Sequence, residues 1–98
     1  NEAKLNEKAG VFCIVLECVT GPIAKEITRS LKIPTIGIGA SIHCDGQILV
    51  TDDMLGMSGF NPKFVKKFVK LNNIIEKGVQ KYNKAVLTKK FPSKENTF

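Results

Sequence analysis

The sequence predicts an α/β fold on a parallel sheet, and three observations carry that expectation. Residues 11–16 (Val-Phe-Cys-Ile-Val-Leu) form an apolar run with no polar alternation, as expected of a strand covered on both faces. Residues 35–40 (Thr-Ile-Gly-Ile-Gly-Ala) form a second run that passes into a glycine-containing loop. Between them Ile23, Ile27 and Leu31 repeat at i, i+4 and i+8, with Lys25, Glu26, Arg29 and Lys32 on the opposite face, which is the pattern of a surface helix over a sheet. Strand, helix and strand in this order make a βαβ unit, and that unit requires parallel strands.

Taken in order, residues 1–8 read as the end of a helix with Leu5 inward, stopped at Ala9-Gly10. Thr20-Gly21-Pro22 starts the next helix, because proline is tolerated in a first turn, and Ile33-Pro34 ends it. Gln47-Ile48-Leu49-Val50 is the third strand expected. Asn61-Pro62 opens a helix with Phe64, Val65, Phe68 and Val69 inward and Lys63, Lys66, Lys67 and Lys70 outward. A break is expected at 71–73, where the Asn pair falls, and then a last helix carrying Ile74, Ile75, Gly78, Val79 and Tyr82. Residues 61–98 are thus C-terminal helices and a tail, and Phe91 and Phe98 suggest that the tail packs.

The chain has 98 residues, of which 43% are hydrophobic, and it opens on Asn1 in what reads as a helix already under way. Three short strands and their helices cannot cover both faces of such a sheet, so residues 1–98 are expected to be the C-terminal part of one larger domain. The net charge is +6, from Lys+Arg 15 against Asp+Glu 9, and most of the excess falls beyond Lys63 on outward helix positions. Cys13, Cys18 and Cys44 are odd in number, lack zinc-site or CxxC spacing, and follow no signal peptide, which points to free thiols in the cytoplasm. No apolar run is long enough to span a membrane.

Glu17 is the leading candidate for chemistry. It follows an apolar strand at its carboxyl end, where α/β sheets and barrels place their active sites, and a partly desolvated carboxylate there suits proton transfer near neutral pH. Its competing role is to cap the next turn or pair with a lysine. Gly37 and Gly39 make a GxG without the rest of a dinucleotide fingerprint, so they read either as a tight turn or as substrate-proximal positions that keep side chains out of the way. Asp45, Asp52 and Asp53 match no metal-loop signature, His43 is a lone loop histidine, and Cys18 has no histidine at a recognisable spacing.

Val15-Leu16-Glu17-Cys18-Val19, then Ile33-Pro34-Thr35-Ile36-Gly37-Ile38-Gly39-Ala40, then Asp45-Gly46-Gln47-Ile48-Leu49-Val50 with Asp53 after it, together closely resemble the ketopantoate hydroxymethyltransferase family. Residues 60–68, Tyr82, Phe91-Pro92-Ser93, Glu95 and Phe98 extend the resemblance to nearly the whole chain. It implies the C-terminal portion of a (β/α)₈ TIM barrel, about its last three βα units. It also implies transfer of a hydroxymethyl group from 5,10-methylenetetrahydrofolate to 3-methyl-2-oxobutanoate, giving ketopantoate for pantothenate biosynthesis. Glu17 corresponds to the family's proton-transferring glutamate. Mg2+ would be held by aspartates near early strands outside this chain, and a homo-oligomer is expected. Ser41, Asp52 and the Lys94-Glu95-Asn96-Thr97 tail depart from the family's common pattern without touching Glu17.

Beside the reading of a purely structural fragment, catalytically silent in isolation even where the parent enzyme is active, two others compete. One is another metal-dependent, enolate-forming or carbon–carbon lyase barrel acting on a 2-oxo acid, which folate dependence separates. The other is a basic module for an anionic partner, against which the lysines lack interleaved stacking aromatics or a nucleic-acid motif. Neither a nucleic-acid nor a membrane partner is expected.

Overall fold

The computed structural model describes residues 2–98; Asn1, expected within the first helix, lies outside the described residues. The elements are α1 (Glu2–Lys8), β1 (Ile14–Glu17), α2 (Gly21–Ser30), β2 (Thr35–Ile38), β3 (Gly46–Gln47), α3 (Thr51–Met54) and α4 (Leu71–Leu87), followed by a 3-10 turn at Lys94–Asn96. The sheet runs β1-β2-β3 with both pairs parallel. Ile14 pairs with Thr35 and Glu17 with Ile38, so β1 and β2 end level at their carboxyl ends. Amide hydrogen bonds carry the ladder past the strands, from Ile14 to the Pro34 carbonyl at 3.0 Å and from Cys18 to that of Ile38 at 2.9 Å.

Side chains alternate across a strand, and here that separates two unlike faces. Leu16 is buried against Ala24 of α2, which is fully buried, and Ile14, Val19, Ile27 and Ala40 pack around them with Cys44. Alanine at this point lets the helix approach the sheet closely. The other face carries Val15, Glu17, Ile36 and Ile38, and Val15 is 51% exposed. The expected burial of β1 on both faces is therefore not met by this chain's own atoms. Its outer edge is unpaired as well, since β1 ends the sheet. A groove lined by Ala3, Val15, Ile23 and Ile27, among others, runs beside it.

Polar side chains pin the connections. The Glu7 carboxylate accepts hydrogen bonds from the Lys32 and Ile33 amides, at 2.6 and 3.2 Å, tying α1 to the turn before β2. Thr35, fully buried, exchanges a 2.8 Å hydroxyl hydrogen bond with Thr28 of α2 and donates its amide to Asp45 Oδ2 at 2.8 Å. Asp45 thereby fixes the loop that leads into β3. Buried polar groups need such partners, and losing one costs about 1–3 kcal/mol.

Several expectations are corrected. The third strand is Gly46–Gln47, starting a residue early, and its last bond to β2 runs from the Ile48 amide to the Gly37 carbonyl at 3.0 Å. On α2 the buried line runs through Ala24 and Ile27, and Ile23 is 52% exposed. Leu5, expected inward, is 63% exposed. Residues 61–70 are turns and irregular chain in place of the expected helix. Within this segment the Val65 amide donates to the Pro62 carbonyl at 3.0 Å in a turn, and the Phe68 amide donates to the distant Met54 carbonyl at 2.9 Å, as does that of Leu71, just beyond the segment, to Leu55 at 3.0 Å. For Phe68 a distant acceptor has replaced the i−4 carbonyl a helix would use. The break expected at 71–73 is instead the start of α4.

Lys63, Lys66, Lys67 and Lys70 are exposed, as expected. On α4, Ile74, Ile75, Val79, Tyr82 and Val86 are all exposed, at 41–61%, so its apolar stripe is uncovered. In the tail Phe91 packs edge-on against Tyr82, with centroids 5.6 Å apart, and Phe98 is fully exposed. The radius of gyration is 22.1 Å, against about 13 Å for a compact domain of this length.

Candidate active site

Glu17 is the last residue of β1, on the uncovered face with Val15, Ile36 and Ile38. Its position is set on one side by pairing with Ile38 and on the other by Cys18, whose amide donates to the Ile38 carbonyl at 2.9 Å. Cys18 turns the chain sharply, with φ 52°, a left-handed value that few residues other than glycine adopt. The strand thus stops abruptly and leaves a carboxylate at the rim of an apolar surface. Glu17 is exposed, so the partial desolvation expected for it is not met among the described residues. A carboxylate so placed can accept a proton from a group bound over the open face.

Gly37 is buried, and a Cβ there would lie 2.9 Å from Gln47 Oε1 and 3.1 Å from Cys44 Sγ. The close approach it permits in this chain comes from the protein itself, on the helix side. Gly39 has φ +62°, and a Cβ there would lie 2.7 Å from Phe64 Cγ. Phe64 and Lys63 join Cys18, Val19, Gly39 and Ser41 around an open cleft of about 580 Å³ at the carboxyl ends of β1 and β2. The Lys63-Phe64 contribution is invisible to sequence reasoning, because it depends on the 61–70 segment folding back onto a strand end.

The remaining candidates have partners of their own or lie exposed. Asp45 serves Thr35, and the buried Asp53 carboxylate accepts a short hydrogen bond from Ser58. His43 is exposed, with its amide donating to Ser41 Oγ at 3.2 Å. Among the described residues no group of three or more His, Cys, Asp or Glu is placed to hold a metal ion, so these residues do not by themselves fit Mg2+. Cys13, Cys18 and Cys44 are all free thiols. Cys18 has no histidine beside it among its observed partners, and Cys18→Ala in the full-length protein should leave turnover within a few-fold. A collapse of turnover with substrate binding retained would make the thiol a nucleophile.

A parallel α/β unit presenting a carboxylate at a strand's carboxyl end defines the class, and sequence comparison places the chain within it. The profile of the family described as Ketopantoate hydroxymethyltransferase matches residues 1–94. The chain belongs to that family. It is 50% identical over 97 residues to the 3-methyl-2-oxobutanoate hydroxymethyltransferase of Pelagibacter ubique (strain HTCC1062), covering 99% of this chain and 38% of the relative. It is 54% identical over 98 residues to the protein of that name from Clostridium novyi (strain NT), covering 99% of this chain and 36% of the relative. The chain therefore spans little more than a third of the length of these curated relatives. No helix among the described residues is long and apolar enough to cross a membrane.

Proposed function

We propose that these residues form the last βα units of a (β/α)₈ barrel whose complete protein makes ketopantoate, transferring a hydroxymethyl group from 5,10-methylenetetrahydrofolate to 3-methyl-2-oxobutanoate. The observation that carries the reading is Glu17 at the carboxyl end of a parallel strand, on an apolar face left partly open among the described residues, within a chain matched over 99% of its length by relatives bearing that enzyme's name.

The chemistry assigns Glu17 one proton. The 2-oxo group acidifies the hydrogen on C3 of the acceptor; Glu17 takes that proton, and the electron pair of the C–H bond delocalises onto the 2-oxo oxygen as an enolate. Water adds to the methylene carbon of the donor as that carbon's two C–N bonds break, the folate nitrogens keeping the two protons of water, so that tetrahydrofolate leaves and the one-carbon unit is left at the level of formaldehyde. The enolate C3 then bonds to that carbon while its C=O π pair moves onto oxygen, and the resulting alkoxide takes back the proton held by Glu17 to become the new hydroxyl group. The apolar neighbours Val15, Ile36 and Ile38 suit the branched carbon chain of the acceptor and, once covered, exclude water from the enolate. Mg2+ enters the proposal only through strands beyond these residues, and no step here depends on it. Gly39 is proposed as substrate-proximal through the cleft at the strand ends, and Gly37 as supporting the same strand from behind.

The exposed stripe on α4 supports a larger assembly, with further strands and a homo-oligomer, and the free thiols support a cytoplasmic setting. The full-length protein, given 3-methyl-2-oxobutanoate and the folate donor, should release ketopantoate and tetrahydrofolate in equal amounts, followed by NMR and absorbance. Processing of the 2-oxo acid without any folate requirement would favour the lyase reading instead.

A further inference from the structure

We propose that Phe64 is a positioning residue for Glu17, an inference that rests on Glu17 acting as the base. The path between them is short and continuous. Phe64 is packed against Gly39 so closely that a methyl group on Gly39 would lie 2.7 Å from Phe64 Cγ and 2.8 Å from its Cβ. Gly39 directly follows Ile38, whose carbonyl accepts the Cys18 amide at 2.9 Å and whose backbone is the register partner of Glu17. Glu17 stands one residue before that bonded amide. The ring therefore presses on the strand end that holds the carboxylate in place.

Two features make the contact more than incidental packing. Gly39 sits at φ +62°, where a side chain would be strained and would also strike the ring, so this position suits glycine twice over. The segment bearing Phe64 is held from behind by non-local backbone bonds, Phe68 to Met54 at 2.9 Å and Leu71 to Leu55 at 3.0 Å. It is anchored at one end and wedged at the other. On its own face of the sheet Glu17 has the apolar neighbours Val15, Ile36 and Ile38, and its side chain is exposed, so the strand end is what fixes its position among the described residues. A small shift of a reacting group costs up to about 10²-fold in rate, so a clamp on the strand end has kinetic consequences.

The test uses the full-length protein and follows exchange of the acceptor's C3 proton into deuterated solvent. Wild type, Phe64→Ala, Phe64→Leu, Glu17→Gln and the Phe64→Ala/Glu17→Gln pair are compared at saturating and limiting 2-oxo acid. Phe64→Ala should lower the maximal exchange rate about ten- to hundredfold with KM little changed, and Phe64→Leu should recover most of the loss. In the Glu17→Gln background Phe64→Ala should have no further effect, because the group it positions is already gone. An unchanged rate in Phe64→Ala, or the same fold-loss in both backgrounds, overturns the proposal and leaves Phe64 a general support. Where Phe64→Ala fails to fold, Phe64→Val decides the matter, a wild-type rate in the folded variant counting against it and a reduced rate with unchanged KM counting for it. Glu17→Gln exchanging at the wild-type rate would instead remove the base itself, a failure separate from that of Phe64.

Discussion

Residues 1–98 produced alone should melt without a cooperative transition and should show no turnover. The described residues bury Leu16, Ala24 and Cys44 as their apolar core, while Val15, Ile48, Val50 and the whole stripe of α4 stay in contact with water. A chain that hides so little apolar surface has little to set against its conformational entropy. The unpaired edge of β1 and the groove beside it also need a partner, since an open strand edge invites further pairing. Mixing the chain with the remainder of a full-length relative should restore a sharp thermal transition and, with it, activity. Circular dichroism and a turnover assay read both. Stoichiometric binding of the 2-oxo acid by the purified 98-residue chain, measured by calorimetry, would show that the site is complete without the remaining strands.

The second large effect is expected at Glu17. In the full-length protein Glu17→Gln should lower turnover by about 10²–10⁴-fold, the usual contribution of a general base. The amide keeps the size of the acid and much of its hydrogen bonding, yet it cannot accept the C3 proton. Binding of 3-methyl-2-oxobutanoate should persist, because the apolar surface formed by Val15, Ile36 and Ile38 is untouched. An increase in KM alone, with kcat unchanged, would make Glu17 a binding residue rather than a base.

The two-strand unit around Glu17 was legible because its signals are local. An unbroken apolar run, a helix repeat from Gly21 to Ser30 and a proline at each helix boundary are enough to place β1, α2 and β2. What was not legible depends on distant partners. Residues 61–70 carry a helical pattern, but the Phe68 amide, and that of Leu71 just after the segment, are drawn to the carbonyls of Met54 and Leu55; propensity is a weak prior against such contacts. For the same reason the Asn72-Asn73 pair, expected to break a helix, lies in the first turn of α4. In the sequence Gly37 and Gly39 read either as a tight turn or as positions of close approach, and only the fold shows that Cys44 and Gln47 meet one and Phe64 the other. Glu17 was found by its place at the end of a strand, whereas its bare surroundings follow from a sheet that is open on one face.

Deuterium exchange at C3 of 3-methyl-2-oxobutanoate, followed by proton NMR in the absence of folate and in magnesium-containing buffer, isolates the step assigned to Glu17 from everything that follows it. Wild-type full-length protein should wash out the C3 proton signal, and Glu17→Gln should slow that loss by about 10²–10⁴-fold while still binding the acid. Equal exchange rates in the two proteins would contradict the account, leaving Glu17 without the proton transfer on which the proposed mechanism stands.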